Sequence, residues 1–311
     1  MKTLSIIVPC YNEESVITES YCRIKTVLDK MNAFQCDIIF INDGSKDHTQ
    51  TLLNEIAIGD KQVKVLHFSR NFGHQPAVTA GIHHCTSDLA IIIDADLQDP
   101  PELIPQLVET QEREQANVVY CVREERKGET FFKKKTAHLF YKTMNYLSET
   151  SFPLDTGDFR LIDRVVMNEF NRFKEKGKYI RGIISWVGFK QVPFLYKRES
   201  RFAGETKYLL RKMLHFATTA VLYFSKKPLK IATGLGFFSV LTGIIYGVWI
   251  ILGKLFGFTH ALSGWSSIII LTIFFGGVQL LSIGILGHYI GILFDEVKDR
   301  PEYIIEKKEN F

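Results

Sequence analysis

The sequence predicts an α/β protein with a mostly parallel, Rossmann-like sheet, followed by a membrane anchor of two helices. Two observations lead to this fold class. Over about the first 160 residues, apolar runs of strand length alternate with stretches of helical spacing, an order typical of a parallel sheet covered by helices. Nearly all the charge lies before Lys230, and two later segments are apolar over membrane lengths.

Five apolar runs are the predicted strands. They cover residues 4–8, 37–42, 63–68, 89–94 and 117–122. In parallel α/β sheets, ligands bind beyond the carboxyl ends of the strands. Polar, turn-forming residues follow the first four runs, so we expect one edge of the sheet to carry a binding site. The clusters are Pro9-Cys10-Tyr11-Asn12-Glu13-Glu14, Asn42-Asp43-Gly44-Ser45, Ser69-Arg70-Asn71-Phe72-Gly73 and Asp94-Ala95-Asp96.

Asp94 and Asp96 form the most informative cluster. Residues two apart on a strand point to the same side, so both carboxylates can reach one ligand while Ala95 packs the other way. Mg²⁺ and Mn²⁺ prefer one or two carboxylates together with phosphate oxygens. The alternative is a solvated acidic turn before a helix that begins at Pro101. For Asp99 the preferred role is the cap of that helix, and support of the metal ligands is its alternative. A turn and helix cap is also the alternative for residues 42–45.

A further helix is predicted to begin near Pro76, where its free backbone N–H groups would suit a phosphate. The five cysteines show no Cys-x-x-Cys spacing and indicate reduced thiols in the cytosol. The net charge of +4 is too small to indicate nucleic acid as a partner.

The membrane anchor is predicted from residues 231–253 and about 268–294, which contain no Asp, Glu, Lys or Arg. As a helix the first segment would be roughly 35 Å long, enough for a hydrocarbon core of about 30 Å. Basic residues flank the hairpin on its outer sides, and the connecting loop has only Lys254. The positive-inside rule therefore predicts a multi-pass protein of the plasma (inner) membrane, with the catalytic domain and both termini cytoplasmic.

Two basic amphipathic stretches, around residues 131–147 and 208–224, fit helices that lie on the bilayer surface, although core packing can give the same pattern. Glycines four apart, at 243 and 247 and at 287 and 291, permit close helix contact either inside the hairpin or between the subunits of a homo-oligomer. The predicted organisation is a cytosolic domain at 1–202, a juxtamembrane amphipathic helix at 203–230, the transmembrane hairpin at 231–296 and a cytosolic tail at 297–311.

The strand-end clusters, together with Leu97-Gln98-Asp99-Pro100-Pro101 and Thr156-Gly157-Asp158-Phe159-Arg160, resemble the motif set of the family 2 glycosyltransferases. With the C-terminal hairpin, the chain is similar to the polyprenyl-phosphate type, which includes dolichyl-phosphate mannose synthase and bacterial undecaprenyl-phosphate glucosyltransferases. The resemblance implies a GT-A fold. It also implies inverting transfer from a nucleotide sugar to a lipid phosphate.

The resemblance implies a role for each matched residue. Pro9, Tyr11, Glu13 and Asp43 would hold the base and ribose, Asp94 would lie by the ribose and diphosphate, and Asp96 would bind the metal, with Asp94 as a second ligand. Asp158 occupies the position of the acceptor-side carboxylate. Because a phosphate monoester is already largely a dianion at neutral pH, Asp158 is either a base or an orienting group, and Asp155 is the reserve candidate.

Cations are needed for the acceptor phosphate, and arginine can donate two bonds to it at once. The alternative for each basic residue is an ordinary solvated surface charge. The stretch around residues 198–208 also resembles the acceptor-side motif of the family. The candidates are Arg123, Arg126, Arg198, Arg201 and Lys207.

Three functions follow from these patterns. The preferred one is transfer of a sugar to undecaprenyl phosphate for cell-envelope glycosylation, with glucose from UDP-glucose as the first donor and UDP-GlcNAc, GDP-mannose or a modified pentose donor as alternatives. A processive polysaccharide synthase is disfavoured, because Gln-x-x-Arg-Trp does not occur and two spans are too few for a polymer channel. A membrane-anchored nucleotide-sugar sensor is the non-enzymatic alternative.

Overall fold

The computed structural model describes residues 1–123, 156–197, 227–256 and 264–311. These residues fall into two compact units. The first is globular and contains residues 1–123, 156–197 and 300–311, whereas the second is helical and contains residues 227–256 and 264–299.

In the described part of the chain, the globular unit is built on a mixed, mostly parallel sheet of eight strands in the order β7-β5-β6-β4-β1-β2-β3-β8. Strands β1 to β5 match the five predicted runs in order and position. The strands are β1 (Lys2–Cys10), β2 (Phe34–Asn42), β3 (Val63–Phe68), β4 (Leu89–Ile92), β5 (Val118–Arg123), β6 (Thr156–Asp163), β7 (Gln191–Tyr196) and β8 (Ile305–Glu309).

The central strands are nearly continuous runs of buried β-branched and aliphatic residues, as expected for a sheet covered on both faces. β1 pairs in parallel with β2 and with β4, so Cys10 lies beside Asn42 and Ile7 beside Ile92. The carboxyl ends of β1, β2 and β4 therefore meet at one edge of the sheet.

Six helices belong to the globular unit within the residues that the structure describes. The helix predicted near Pro76 begins two residues earlier, at His74, with Pro76 in its first turn, where a missing N–H costs no hydrogen bond. A short 3₁₀ turn, Pro101–Leu103, precedes α4. The helices are α1 (Ile17–Leu28), α2 (Thr49–Gly59), α3 (His74–His84), α4 (Ile104–Glu114), α5 (Arg164–Phe170) and α6 (Ile180–Val187).

Two strands run against the parallel direction. β6 is antiparallel to both of its neighbours, β4 and β5, which brings its amino end to the carboxyl end of β4. β8 is antiparallel to β3 and closes the other side of the sheet. β8 was not among the predicted strands, because Ile305–Glu309 (IEKKE) is a short, charged segment typical of an exposed edge strand.

The predicted cap at Asp99 is wrong. Pro100 occupies the cap position of the 3₁₀ turn, and no side chain caps it. Asp99 is instead buried and accepts a hydrogen bond from the hydroxyl group of Tyr196, at the end of β7. Burial, followed by the neighbouring Asp99 carboxylate, raises the pKa of the Tyr196 hydroxyl above its usual range.

The helical unit consists of α7 (Lys227–Leu255) and α8 (Trp265–Val297), which contact each other. Both are long and apolar enough to cross a membrane, over Lys227–Gly253 and Leu271–Val297, and the described side chains of these stretches are mostly exposed. Gly243 on α7 faces the ring of Phe275 on α8. Two apolar helices joined by a short connection can form the predicted hairpin.

Candidate active site

The site begins with the loops that follow β1 and β2, which are joined by hydrogen bonds from backbone N–H groups to backbone and side-chain oxygens. The N–H of Asp43 donates to the carbonyl of Cys10 over 3.0 Å. The N–H of Asn12 donates to Oγ of Ser45 over 3.0 Å, and the N–H of Lys46 donates to Oδ1 of Asn12 over 2.8 Å. These bonds place the polar clusters at 9–14 and 42–45 side by side.

Asp43 joins these loops to the loop after β3. Its buried carboxylate accepts hydrogen bonds from the backbone N–H of Phe72 (2.6 Å) and Gly73 (2.9 Å) and from Nδ2 of Asn71 (2.9 Å). Burial raises the pKa of Asp43, and the N–H donors of Phe72 and Gly73 oppose that rise. Gly44 adopts φ +62°, and a Cβ there would overlap the backbone of Arg70, so the approach of the two loops requires glycine.

Asp94 and Asp96 lie shortly after β4, which ends at Ile92. Both side chains are partly exposed, whereas Ala95 and Leu97 between and after them are buried. Oδ1 of Asp96 accepts a hydrogen bond from the backbone N–H of Gln98 over 3.1 Å, which fixes the turn. The two carboxylates therefore lie at the same edge as Asp43 and remain accessible.

Asp158 reaches this edge through the antiparallel strand β6. Ile92 pairs with Arg160, so continuing the register by two residues sets Asp158 opposite Asp94. His74, the first residue of α3, bridges the pair: its Nε2 lies 3.1 Å from Oδ2 of Asp158 and 3.8 Å from Oδ1 of Asp94.

Arg181, on α6, holds the other side of Asp158. Its Nε and Nη2 donate to the two carboxylate oxygens over 2.6 and 3.0 Å. Burial favours a neutral Asp158, but Arg181 and His74 outweigh it and hold the pKa of this carboxyl group well below its usual range. Asp158 is thus an ionised group held in one orientation, which fits an orienting role better than that of a strong base.

The charges around Asp158 also affect its neighbours. Burial opposes the charged form of His74, but Asp94 and Asp158 raise its pKa to about 9. For Asp94, burial is the stronger effect and raises the pKa to about 6, although the charge on His74 opposes this rise. The group of His74, Asp94, Asp158 and Arg181 is therefore a compact set of alternating charges.

Two more arginines lie near the start of β6. Arg160 is buried, its Nη2 donates to the carbonyl of Gly157 over 2.9 Å, and burial lowers its pKa to about 10. Arg123, at the end of β5, lies so close to Gly157 that a Cβ there would be 3.1 Å from Nη2 of Arg123. Arg160 and Arg123 therefore place positive charge on the Asp158 side of the edge.

The structure gathers most of the predicted site residues at this edge. Pro9 is a buried residue next to the end of β1, and Tyr11 and Glu13 lie in the loop that follows. The Glu13 N–H donates to Oγ1 of Thr49 over 2.9 Å. Arg123 and the four aspartates are placed as described above. The predicted residues Asp155, Arg126, Arg198, Arg201 and Lys207, and the two amphipathic stretches, lie outside the described residues.

Sequence reasoning missed His74 and Arg181. His74 directly follows the Arg70–Gly73 cluster, so extending that motif by one residue would have included it. Arg181 lies in Ile180-Arg181-Gly182, which carries no recognisable pattern. The fold brings Arg181 to Asp158, where it donates two hydrogen bonds.

The carboxylates at this edge fit a divalent cation of the Mg²⁺ type. Within residues 1–123, 156–197, 227–256 and 264–311, no group of three or more His, Cys, Asp and Glu side chains could hold a metal ion by itself. A pair of accessible carboxylates is nevertheless the donor set that Mg²⁺ and Mn²⁺ use when phosphate oxygens and water complete the shell. Asp94 and Asp96 are the residues of this kind.

Comparison with known proteins agrees with this geometry. Residues 5–170 match the family described as Glycosyl transferase family 2. A Bacillus subtilis (strain 168) protein named uncharacterized glycosyltransferase YkcC is 48% identical over 303 residues, covering 97% of this chain and 93% of the relative.

Two further relatives carry more specific names. The prophage bactoprenol glucosyl transferase homolog of Escherichia coli (strain K12) is 40% identical, and 98% of each chain is covered. The bactoprenol glucosyl transferase of Shigella phage SfII is 39% identical over 98% of this chain and 97% of its own. With the mixed sheet and its carboxylate edge, these matches show that the chain belongs to the family 2 glycosyltransferases and is an enzyme with a GT-A fold.

Proposed function

We propose that this glycosyltransferase transfers a sugar from a nucleotide donor to a polyprenyl phosphate at the cytosolic face of the membrane, with inversion at the anomeric carbon. The observation that carries the proposal is the combination, in one chain, of the carboxylate edge with two apolar helices of membrane length. The bactoprenol glucosyl transferases support it because the similarity extends over nearly the whole chain, including that helical region.

The donor would bind across the loops after β1, β2 and β3. Asp43 and its hydrogen bonds to residues 71–73 hold these loops in place, and Pro9, Tyr11 and Glu13 line the same edge. Asp94 and Asp96 would hold Mg²⁺ or Mn²⁺ beside the diphosphate. When bound, such a cation stabilises the negative charge that develops on the leaving nucleoside diphosphate.

The acceptor phosphate would approach from the Asp158 side. As a dianion it needs little help from a base, so Asp158 would orient the acceptor or the sugar hydroxyl groups while Arg181 and His74 fix its position. Arg123 is the described candidate for a phosphate contact. Arg126, Arg198, Arg201 and Lys207 complete the proposed set.

The membrane helices and amphipathic stretches would keep the acceptor near the site. Undecaprenyl phosphate is the proposed lipid, glucose from UDP-glucose is the first candidate donor, and UDP-GlcNAc, GDP-mannose or a modified pentose donor are the alternatives. The product would supply cell-envelope glycosylation. We further propose that both termini are cytoplasmic in the plasma (inner) membrane and that the protein can form a homo-oligomer.

The test is a transfer assay with the full-length protein, undecaprenyl phosphate, a panel of nucleotide sugars and Mg²⁺ or Mn²⁺, followed by mass measurement of the lipid product. Asp96→Asn should lower the rate by about 100-fold, because charge stabilisation of the leaving group is lost. The matched control is Asp29→Asn, which makes the same charge change at an exposed site directly after the last residue of α1.

Each result has a clear meaning. A glucosyl lipid formed only with metal and lost in Asp96→Asn would support the proposal in full. A different sugar on the lipid would correct the donor alone. The absence of a lipid product with every donor would overturn the lipid acceptor. An Asp96→Asn protein as active as Asp29→Asn would overturn the metal role.

A further inference from the structure

The C-terminal strap, residues Glu302–Phe311, is an integral part of the globular unit. It follows α8 after a link of only residues 298–301, and its strand β8 pairs with β3. Nδ2 of Asn310 donates to the carbonyls of Ala57 (2.7 Å) and Val63 (2.8 Å), which anchors its end between α2 and β3. The strap therefore fixes the C-terminal segment of the globular unit to the edge of the catalytic sheet.

The strap contacts the segment that holds Asp43. The backbone N–H of Ser69 donates to the carbonyl of Ile304 over 3.0 Å. The ring of Tyr303 stacks on Phe68, with centroids 5.1 Å apart and planes within 7°, and Phe68 meets Phe72 edge to face at 5.7 Å. Because the N–H of Phe72 is one of the donors to Asp43, Tyr303 supports the nucleotide side of the site through two ring contacts.

The strap also contacts the segment that holds Asp158. Nζ of Lys178 lies 3.0 Å from Oε2 of Glu302, and the two side chains are only 5% and 11% exposed. Lys178 precedes Arg181 by three residues, and between them the N–H of Ile180 donates to Gln75 over 2.9 Å. A buried ion pair contributes little net stability, but removing one partner is costly, so it acts mainly as a constraint on where the segment lies.

We propose that Glu302 and Tyr303 are positioning residues for sugar transfer, with Glu302 acting on Asp158 through Lys178 and Arg181, and Tyr303 acting on Asp43 through Phe68 and Phe72. The inference rests on the proposed function for the roles of Asp43 and Asp158. It assigns to the C-terminal residues a part in the reaction, although none of them reaches the carboxylate edge. It also makes the two halves of the site separable, because each depends on a different residue of the strap.

The test compares matched variants of the full-length protein by hydrogen exchange and steady-state kinetics. Glu302→Gln and Glu306→Gln make the same charge change in the strap, but Glu306 is exposed. Glu302→Gln should speed amide exchange at Ile180 and Ile183 by about tenfold and lower kcat by about tenfold, with the donor KM unchanged. Glu306→Gln should match the parent.

The second pair of variants tests the nucleotide side. Tyr303→Leu removes the stacked ring and should raise the donor KM and the exchange rate at Phe72 and Gly73 by about tenfold, with little change in kcat. Tyr303→Phe keeps the ring and loses only the hydrogen bond between its hydroxyl group and Nδ1 of His83 (3.0 Å), so it should behave like the parent.

The split between kcat and KM is the deciding result, since a general loss of stability would change both pairs alike. If Glu302→Gln does not fold, Lys178→Met/Glu302→Met removes the pair without leaving a lone buried charge and should give the same local exchange and kcat changes. If Glu302→Gln, or the double variant in its place, had the same amide exchange and kcat as Glu306→Gln, the proposal would be overturned. Local exchange changes without kinetic changes would overturn it too, whereas a parent without transfer activity would refute only the proposed function.

Discussion

Replacing Arg181 by Gln is the sharpest perturbation of the site, because it removes the guanidinium group that fixes Asp158. Two of the three hydrogen bonds described above for this carboxylate come from Arg181, at 2.6 and 3.0 Å, and the Asp158 side chain is only 10% exposed. A hydrogen bond to a charged group contributes about 1.5–3 kcal/mol. Since His74 remains as a partner, we expect the free energy of unfolding to fall by about 2–3 kcal/mol.

The transfer rate should also fall, by more than the loss of folded protein would explain. A carboxylate that is free to move by about 1 Å can cost about 100-fold in rate, so Arg181→Gln should lower kcat by about that factor. Arg181→Lys keeps the charge but cannot form the same two-bond fork, and we expect a loss of about tenfold. Initial rates with nucleotide sugar and polyprenyl phosphate, together with thermal unfolding, measure both effects.

Arg172→Gln is the matched control. Arg172 pairs with Glu169 over 2.7 Å on α5 and the loop that follows, but its side chain is 76% exposed, so the pair contributes at most about 1 kcal/mol. The same charge change should therefore leave the rate unaltered. If Arg181→Gln were as active and as stable as Arg172→Gln, the reasoning that Arg181 fixes Asp158 would be refuted.

The pH dependence gives an independent check. The pKa of Asp158 is depressed in the folded protein, so the stability that this group contributes is fully present above its ordinary pKa of 3.8 and is lost as the pH falls through the lower folded value. The stability difference between the parent and Arg181→Gln should therefore persist from neutral pH to about 4 and shrink below it. A difference that already disappears near neutral pH would contradict the ionised Asp158.

Three further predictions concern other parts of the globular unit. Asp43→Ala should weaken UDP binding by about tenfold in calorimetry, because the buried acceptor for residues 71–73 is lost. Gly44→Ala should lower the free energy of unfolding by about 1–3 kcal/mol, because the position has a positive φ and the new Cβ would overlap the backbone of Arg70. In the control Gly59→Ala, the new Cβ meets nothing within 4 Å, so the free energy of unfolding should stay unchanged or rise slightly. Tyr196→Phe should cost about 1–3 kcal/mol in thermal unfolding, because buried Asp99 loses a donor.

The sequence alone determined the features that depend on neighbouring residues. Strands β1 to β5 follow from runs of apolar residues, and α7 and α8 follow from apolar length. The polar clusters that contain Asp43 and Asp96 could be assigned to one edge because parallel strands share the direction of their carboxyl ends. Local periodicity is sufficient to predict these strands and helices, and the common direction of parallel strands is sufficient to predict the shared edge.

The tertiary structure decided which charges meet. Asp158 stands opposite Asp94 because β6 enters the sheet antiparallel, a direction that the 156–160 motif does not encode. Arg181 lies 23 residues along the chain from Asp158 and donates hydrogen bonds to it. Asp99 accepts a hydrogen bond from Tyr196 and does not cap the following helical turn. Such pairings depend on the packing of elements distant in sequence, and the same physical reason explains why a charged C-terminal segment proved to be the edge strand β8.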